Sequence, residues 1–443
     1  MESDSIFINR DSTKVTDEKI IALARDPQLT SLNLACSNVT DNGISALANA
    51  QFLTSLNLWW TEVTDACMSF LAHIPCLTSL TLNGTKVTDT GMIFLARAWR
   101  LTILDLHDTR ITDIGILSLS SLTHITSLYI GKTKVTDVGI STLVDLPQLT
   151  SLDIRDTQVT DIGMKFLVSA PRLTDLNIRG TNVTDNGMSI IAYFPKLKKL
   201  NLQNINVTDN GMVFLARAAY LASLNMNNSK IMDAGFVALA SSKSLTSLDI
   251  GYTKITDIGV SALALTPTLT SLNLESTKVT DVGILSLASL HQLTDLNITN
   301  TSITDKAALA LAVFPNLKML YIINTDVTDV GISGISCAPV LTELWASQTD
   351  VTDVGLETLA RTPNLTLLDI ESTDVTDDGL MSLASSRSLR KVFTFMSDVT
   401  PQGYRRFCTA LDKNQLFRQM VDEPSLIFIP TVLLDIIADY AVE

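Results

Sequence analysis

The sequence predicts an α/β solenoid, a stack of short coils each built from one strand and one helix. Three observations carry that reading. The aspartate of a V-T-D-type triplet returns every 24 residues from Asp17 to Asp377, sixteen times without an insertion. Within 269–288, Leu269, Leu272 and Leu274 fall as L-x-x-L-x-L, which turns the last two to one side of a strand and Ser271, Asn273 and Glu275 to the other. Ile284, Leu287 and Ala288 then recur at i, i+3 and i+4, the spacing of a helix with one narrow apolar stripe.

Taken in order, residues 1–28 read as an N-terminal capping half-repeat, with Ile6 and Ile8 as its strand and Arg10 where a core leucine would stand. Residues 29–412 read as sixteen 24-residue repeats. In each, the triplet aspartate suits the N-cap of the helix, and a glycine such as Gly283 leaves no side chain between neighbouring coils. Prolines at helix exits (Pro75, Pro147, Pro171, Pro195, Pro267, Pro315, Pro339, Pro363) stop the helices. Cys67 and Ala307 replace the glycine, Met232 replaces the threonine of the triplet, and Pro401 replaces the aspartate where the period ends. In 413–443 the composition changes, and Leu433, Ile436, Ile437 and Tyr440 predict an amphipathic helix that caps the last coil.

The repeat resembles the leucine-rich repeat of the cysteine-containing-like subtype, as in F-box leucine-rich-repeat proteins and leucine-rich-repeat effectors of intracellular bacteria. The resemblance implies a right-handed solenoid (horseshoe) with a parallel sheet on the concave face and helices on the convex face. Where that subtype has Cys, this chain has Thr61, Thr85, Thr109, Thr133, Thr157, Thr181, Thr253 and Thr277, whose hydroxyls can bond the loop backbone in the same way. Ile429 and Pro430, followed by Leu433, Leu434, Ile436, Ile437 and Tyr440, look like the opening helix of an F-box. Thr431 and Val432 depart from that motif and no further helices follow. The family resemblance implies a non-enzymatic protein-binding scaffold, a bacterial effector acting on host or effector proteins in the host cytosol. The alternative is a substrate-recruiting subunit of a ubiquitin ligase, docked through the F-box-like tail.

Composition bounds the partners. A net charge of −14 disfavours nucleic acid and acidic membranes, which need a concentrated basic surface. The five cysteines are dispersed and form no C-x-x-C pair, which fits a reducing cytoplasm. The first twelve residues have no apolar core of a signal peptide, and the most apolar run, 425–442, is broken by Pro430, Asp435 and Asp439. No cofactor or metal is expected, and the chain reads as a monomer.

No catalytic cluster stands out from the repeat. His73 reads as a helix-surface residue, His124 and His291 as loop residues, and His107, beside Asp105 and Asp108, as a surface histidine on the free strand face. Function is then sought where that face varies. Its outward positions are mostly Ser, Asn and Asp, a polar ladder that reads as solvation. Against it stand Met319, Tyr321 and Ile323, then Trp345, Leu367, Phe393, Phe395 and Met396, with a smaller patch at Trp59 and Trp60 and Tyr129, Arg155 and Arg179 between. Loop positions that carry Lys or Arg in the earlier coils carry Asp326, Asp350, Asp374 and Asp398 in the last ones, near Glu343, Asp369 and Glu371. The predicted contact set is Tyr321, Trp345, Asp369, Glu371, Phe393, Phe395, Trp59 and Trp60, facing a protein with basic and apolar groups.

Overall fold

The computed structural model describes residues 15–422, with side chains to 412. Ile6, Ile8 and Arg10 of the N-terminal cap, and the helix predicted around Leu433, lie outside the described residues. The chain forms two compact units, Met1–Ser302 and Ile303–Glu443.

The first unit opens on helix α1 (Asp17–Leu23) and then alternates twelve strands, β1 (Ser31–Asn33) to β12 (Asp295–Asn297), with helices that end at α12 (Asp281–Ser286). Each strand pairs in parallel with the next at a 24-residue offset, so Leu32 faces Leu56 and Leu248 faces Leu272. In the second unit, α13 (Asp305–Leu311), β13 (Met319–Tyr321), α14 (Asp329–Ile335), β14 (Glu343–Trp345), α15 (Asp353–Leu359), β15 (Leu367–Asp369), α16 (Asp377–Ser382) and β16 (Lys391–Phe393) repeat the scheme. Its last described element is α17 (Pro401–Asp422), 22 residues long, in which Phe407 and Leu411 are buried.

Within a coil, Leu269, Leu272, Leu274, Val279, Ile284 and Leu287 are buried. The helical stripe differs from the expected one at its end: Ala288 is exposed and Leu290 takes its place in the core. A 3₁₀ turn, Leu287–Ser289, follows α12 here, but the same position is buried at Thr266 and Phe314, where the helix ends without one, so the shift belongs to the coil itself.

The triplet aspartates are not the helix caps that the sequence suggests. The preceding threonine is the N-cap: Thr280 Oγ1 accepts from Val282 N at 3.3 Å, and Asp281 is the first helical residue. The aspartate bonds the next coil instead. Asp257 Oδ1 accepts from Thr280 N at 2.8 Å and from Gly283 N at 3.0 Å, while Thr280 Oγ1 donates to Asp257 Oδ2 at 2.7 Å. The same bridge joins Asp41 to Thr64, Asp161 to Thr184 and Asp353 to Thr376. It also explains the glycine, since a Cβ on Gly283 would sit 2.5 Å from Asp257 Oδ1. Where Cys67 replaces that glycine, the coil begins with a 3₁₀ turn, Asp65–Cys67. Burial, with Asp41 close by, pushes the Cys67 thiol far above its usual range.

The threonines in the cysteine position bond the loop as expected, with Thr277 Oγ1 donating to Leu274 O at 2.6 Å and Thr61 Oγ1 to Leu58 O at 2.7 Å. One residue of each coil, just after the strand, takes a left-handed conformation that sequence alone did not flag. Gly84 and Gly180 do so at no steric cost, but fourteen other positions have φ between 51° and 58°, Trp60, Tyr252 and Met396 among them. At Trp60 and Tyr252 the amide continues the ladder between coils, with Trp60 N donating to Asn83 O at 2.9 Å and Tyr252 N to Glu275 O at 2.7 Å.

Candidate functional site

The outward face of the sheet is more structural than its polar composition suggests. In eleven coils the second outward residue is Asn or Asp, and its side-chain oxygen accepts from the amide two residues on. Examples are Asn57 to Trp59 at 2.9 Å, Asn201 to Gln203 at 3.0 Å and Asp369 to Glu371 at 3.0 Å. This Asx turn ends the strand and orients the left-handed residue behind it. The row is therefore a set of loop caps and not simply a solvated surface.

Four coils put an aromatic ring in that row: Tyr129, Tyr321, Trp345 and Phe393. None of these rings can serve as the acceptor that an Asx side chain provides. Three of them share the second unit and stack: Tyr321 on Trp345 at 5.6 Å between centroids and 14° between planes, and Trp345 on Phe393 at 5.7 Å and 27°. All three are half-buried, so part of each ring stays open to solvent. Lys391 Nζ lies 4.3 Å above the Phe393 ring, and Trp345 Nε1 donates to Glu343 Oε2 at 3.4 Å. Beyond them Phe395 is 69% exposed and Met396 is exposed beside it, in the left-handed position.

Asp369 departs from the surface acid that the sequence suggests. It stands between Trp345 and Phe393 in the strand register, the two rings meet across it, and it is only 5% exposed. Glu371 keeps partial exposure, and burial, helped by the neighbouring Asp369 charge, raises its carboxyl pKa.

In the first unit, Trp59 and Trp60 pack edge to face at 6.4 Å, and Trp60 is 62% exposed. Gly84 of the next coil is needed there twice: its φ is +69°, and a Cβ would lie 2.3 Å from Trp60 Cδ1. The predicted residues therefore fall into two separate patches, Tyr321 to Phe395 in one unit and the tryptophan pair in the other.

His107 is not a surface histidine. It is 5% exposed, stacked on Tyr129 at 5.9 Å and set between two carboxylates. Its Nδ1 lies 2.8 Å from Asp105 Oδ1, and its Nε2 lies 3.3 Å from Asp153 Oδ2 without hydrogen-bond alignment. Burial lowers its pKa, but the two aspartates outweigh that and raise it overall. Burial likewise raises that of Asp153, and His107 and Arg155 more than reverse this. Asp153 could not be found from local sequence because it lies two coils away. His73, His124 and His291 are exposed as expected. Among the described residues, no group of three or more His, Cys, Asp or Glu is placed to hold a metal, and no helix is long and apolar enough to cross a membrane.

Models of the leucine-rich repeat match residues 100–159 and, separately, 27–48, 73–96, 171–192, 241–264, 267–288, 289–312 and 362–384. No curated protein matches the chain by sequence. Among solved structures, the chain is similar to TLR13 in a complex with a single-stranded RNA, with a TM-score of 0.56 at 18% identity over 86% of this chain and 61% of that one. An internalin (inlF) from Listeria monocytogenes is 24% identical over 85% of this chain and 88% of its own, with a TM-score of 0.46. The ectodomain of the Arabidopsis thaliana receptor kinase GASSHO1/SCHENGEN3 is 14% identical over 86% of this chain and 54% of its own, with a TM-score of 0.38. The TLR13 likeness is one of fold, and the repeat models fall on coils whose leucines are buried at the same 24-residue spacing: the chain is a leucine-rich-repeat protein.

Proposed function

We propose that the chain is a binding scaffold that engages a protein partner on the sheet face of its second unit, with Tyr321, Trp345 and Phe393 as the anchor and Phe395 and Met396 at its margin. The observation that carries this is the exchange of Asx caps for rings. In eleven coils the position serves the fold through a hydrogen bond of about 1 kcal/mol, and in three of the last four it serves a stacked aromatic strip instead. A local rule of the fold is given up without a gain in the core, as is usual at functional positions. Half-exposed Trp and Tyr are also the commonest interface anchors.

The acids around the strip, Glu343 on the sheet and Glu371, Asp326, Asp350, Asp374 and Asp398 in the loops, suit a partner that presents Lys or Arg beside apolar groups. The dispersed cysteines agree with a cytosolic setting. A test is affinity capture with the purified protein, followed by identification of the bound chain and measurement of its affinity. Loss of that partner in the Tyr321→Ala/Trp345→Ala double variant, with retention in Asn201→Ala, supports the reading. Equal capture by all three proteins moves the site elsewhere, with Trp59 and Trp60 next to be examined.

A further inference from the structure

In the first unit, the edge where the chain leaves its helices carries a run of positive charge. Exit segments 168–174, 192–198, 216–222 and 240–246 hold Arg172, Lys196, Lys198, Arg217 and Lys243 and no acidic residue, in a chain with 46 acids and 32 bases. All five cations are exposed, and no ion pair engages any of them among the described residues. Arg172 is held in place by the side-chain oxygen of Gln148.

Within this edge, a groove of about 280 Å³ opens between the exits of α8 (Asp185–Ile191) and α9 (Asp209–Leu215). Its walls are Tyr193, Phe194, Pro195, Phe214, Arg217 and Tyr220. Phe194 is buried as its floor, while Tyr193 is 76% and Tyr220 59% exposed at its rims. No repeat rule calls for these tyrosines: the corresponding exit positions of other coils hold Ser169, Ser241 and Leu265 beside the Tyr193 position, and Gln148, Arg172 and Ser244 beside the Tyr220 position.

We propose that this groove docks an acidic peptide segment, taking one large apolar side chain between Tyr193 and Tyr220 and directing flanking carboxylates toward Arg217, Lys196 and Lys198. Charge selects this occupant. With a net charge of −14 the molecule repels an acidic segment over most of its surface, and this edge gives it a local attractive field. The groove wall selects a peptide over nucleic acid. It holds a single cation, Arg217, amid aromatic and proline side chains, a lining that suits one apolar side chain, whereas nucleic-acid affinity rests mainly on several cation–phosphate contacts. The proposal is independent of the aromatic strip on the sheet face of the second unit.

The test uses the full chain and three fluorescein-labelled probes read by anisotropy. They are a short peptide with one Phe flanked by Glu and Asp, the same peptide with Lys in place of the acids, and oligothymidine. The acidic peptide is expected to bind saturably, more weakly as salt rises, and the basic peptide and oligothymidine not to bind. Tyr193→Ala, Tyr220→Ala and Arg217→Glu should each weaken the acidic peptide about tenfold, the scale of an interface anchor. Lys196→Glu/Lys198→Glu, at exposed positions, provides a second variant should a tyrosine change disturb folding. Trp345→Ala should leave this binding unchanged, which separates the groove from the sheet-face site. Absence of saturable binding, tighter binding of oligothymidine, or acidic-peptide binding unaltered in every groove variant would overturn the proposal.

Discussion

Trp345 and Phe393 stack at 5.7 Å although β15 runs between their strands, and the residue they meet across is Asp369. A carboxylate so placed is a poor steering charge. It is a buried acceptor for Glu371 N and a spacer beneath the rings. Asp369→Ala should therefore cost about 1–3 kcal/mol, through the amide left unsatisfied. Hydrogen exchange should show the loss as faster exchange at Glu371 and its neighbours, with the first unit unchanged. Unaltered protection of Glu371 would mean that the bond is dispensable.

Glu371 and Asp369 are adjacent in the outward series yet should behave differently. Glu371 is partly exposed, so Glu371→Lys should mainly slow association with a basic partner and flatten its salt dependence, with little change in stability. Stopped-flow association at several salt concentrations measures this. A change confined to the dissociation rate would show that Glu371 acts by direct contact.

How much of this was legible in the sequence follows the reach of each interaction. The strand leucines, the 24-residue register and the threonines that bond Leu274 O and Leu58 O could all be read, because a repeat without insertions shows along the whole chain and those hydrogen bonds span only three residues. The aspartate bridge could not: Asp257 looks like a helix cap beside its own helix, and only the fold shows that its oxygens reach Thr280 and Gly283, 23 and 26 residues on. His107 looked exposed for the same reason, its second carboxylate being Asp153. Asp369 looked exposed because alternation gives the direction of a side chain and not what its neighbours fold across it. The left-handed residues left no glycine signal, since side chains as large as Trp60 and Tyr252 occupy the position.

The Asp–Thr bridge has a natural interruption at Met232. Met232 N still donates to Asp209 Oδ1 at 2.8 Å, but no side-chain hydroxyl caps α10 (Asp233–Leu239). Met232 is exposed, so restoring the hydroxyl should not disturb packing. Met232→Thr should stabilise this region by about 0.5–1 kcal/mol, adding a cap to the helix and a bond to Asp209. Conversely, Asp257→Ala removes the acceptor of three donors at once and should cost more. Denaturant unfolding of the two variants against wild type checks both signs.

The His107 cluster makes a pH prediction. A raised histidine pKa means that folding favours the protonated form, so its stabilisation is fully present below about pH 6.5, the unfolded value, and is lost as pH rises through the folded value. Asp153 acts the other way: its pKa is lowered, so its contribution is present above the unfolded carboxylate range, about pH 4, and is lost as pH falls through the folded value. The pair should therefore stabilise the coils around β4 (Ile103–Asp105), β5 (Ser127–Tyr129) and β6 (Ser151–Asp153) most between about pH 4 and 6.5. Hydrogen exchange in residues 103–157 should slow as pH is lowered from 8 to 6, after correction for the intrinsic rate, and His107→Gln should abolish the difference. An equal pH response in the variant would assign it to other groups.

The last prediction concerns the aromatic strip. Trp345 lies at its centre, stacked on Tyr321 on one side and Phe393 on the other, so truncating it both removes a contact face and frees its neighbours to move. Trp345→Ala should weaken partner binding by about 2 kcal/mol or more, roughly thirty-fold in affinity. Tyr321→Ala, at the end of the stack, should lose a similar amount. Neither ring is part of the core between sheet and helices, but each gives up a stacking contact worth about 0.5–1.5 kcal/mol, so the midpoint of thermal unfolding should fall slightly while affinity falls steeply. The control is Asn201→Ala in the first unit, which removes the acceptor of Gln203 N and should cost stability without affecting affinity. Stability and binding thus respond in opposite order at the two positions, and titration calorimetry paired with thermal melts separates an anchor from a loop cap. A Trp345→Ala protein that melts far below wild type yet binds its partner with full affinity would make the strip a structural device.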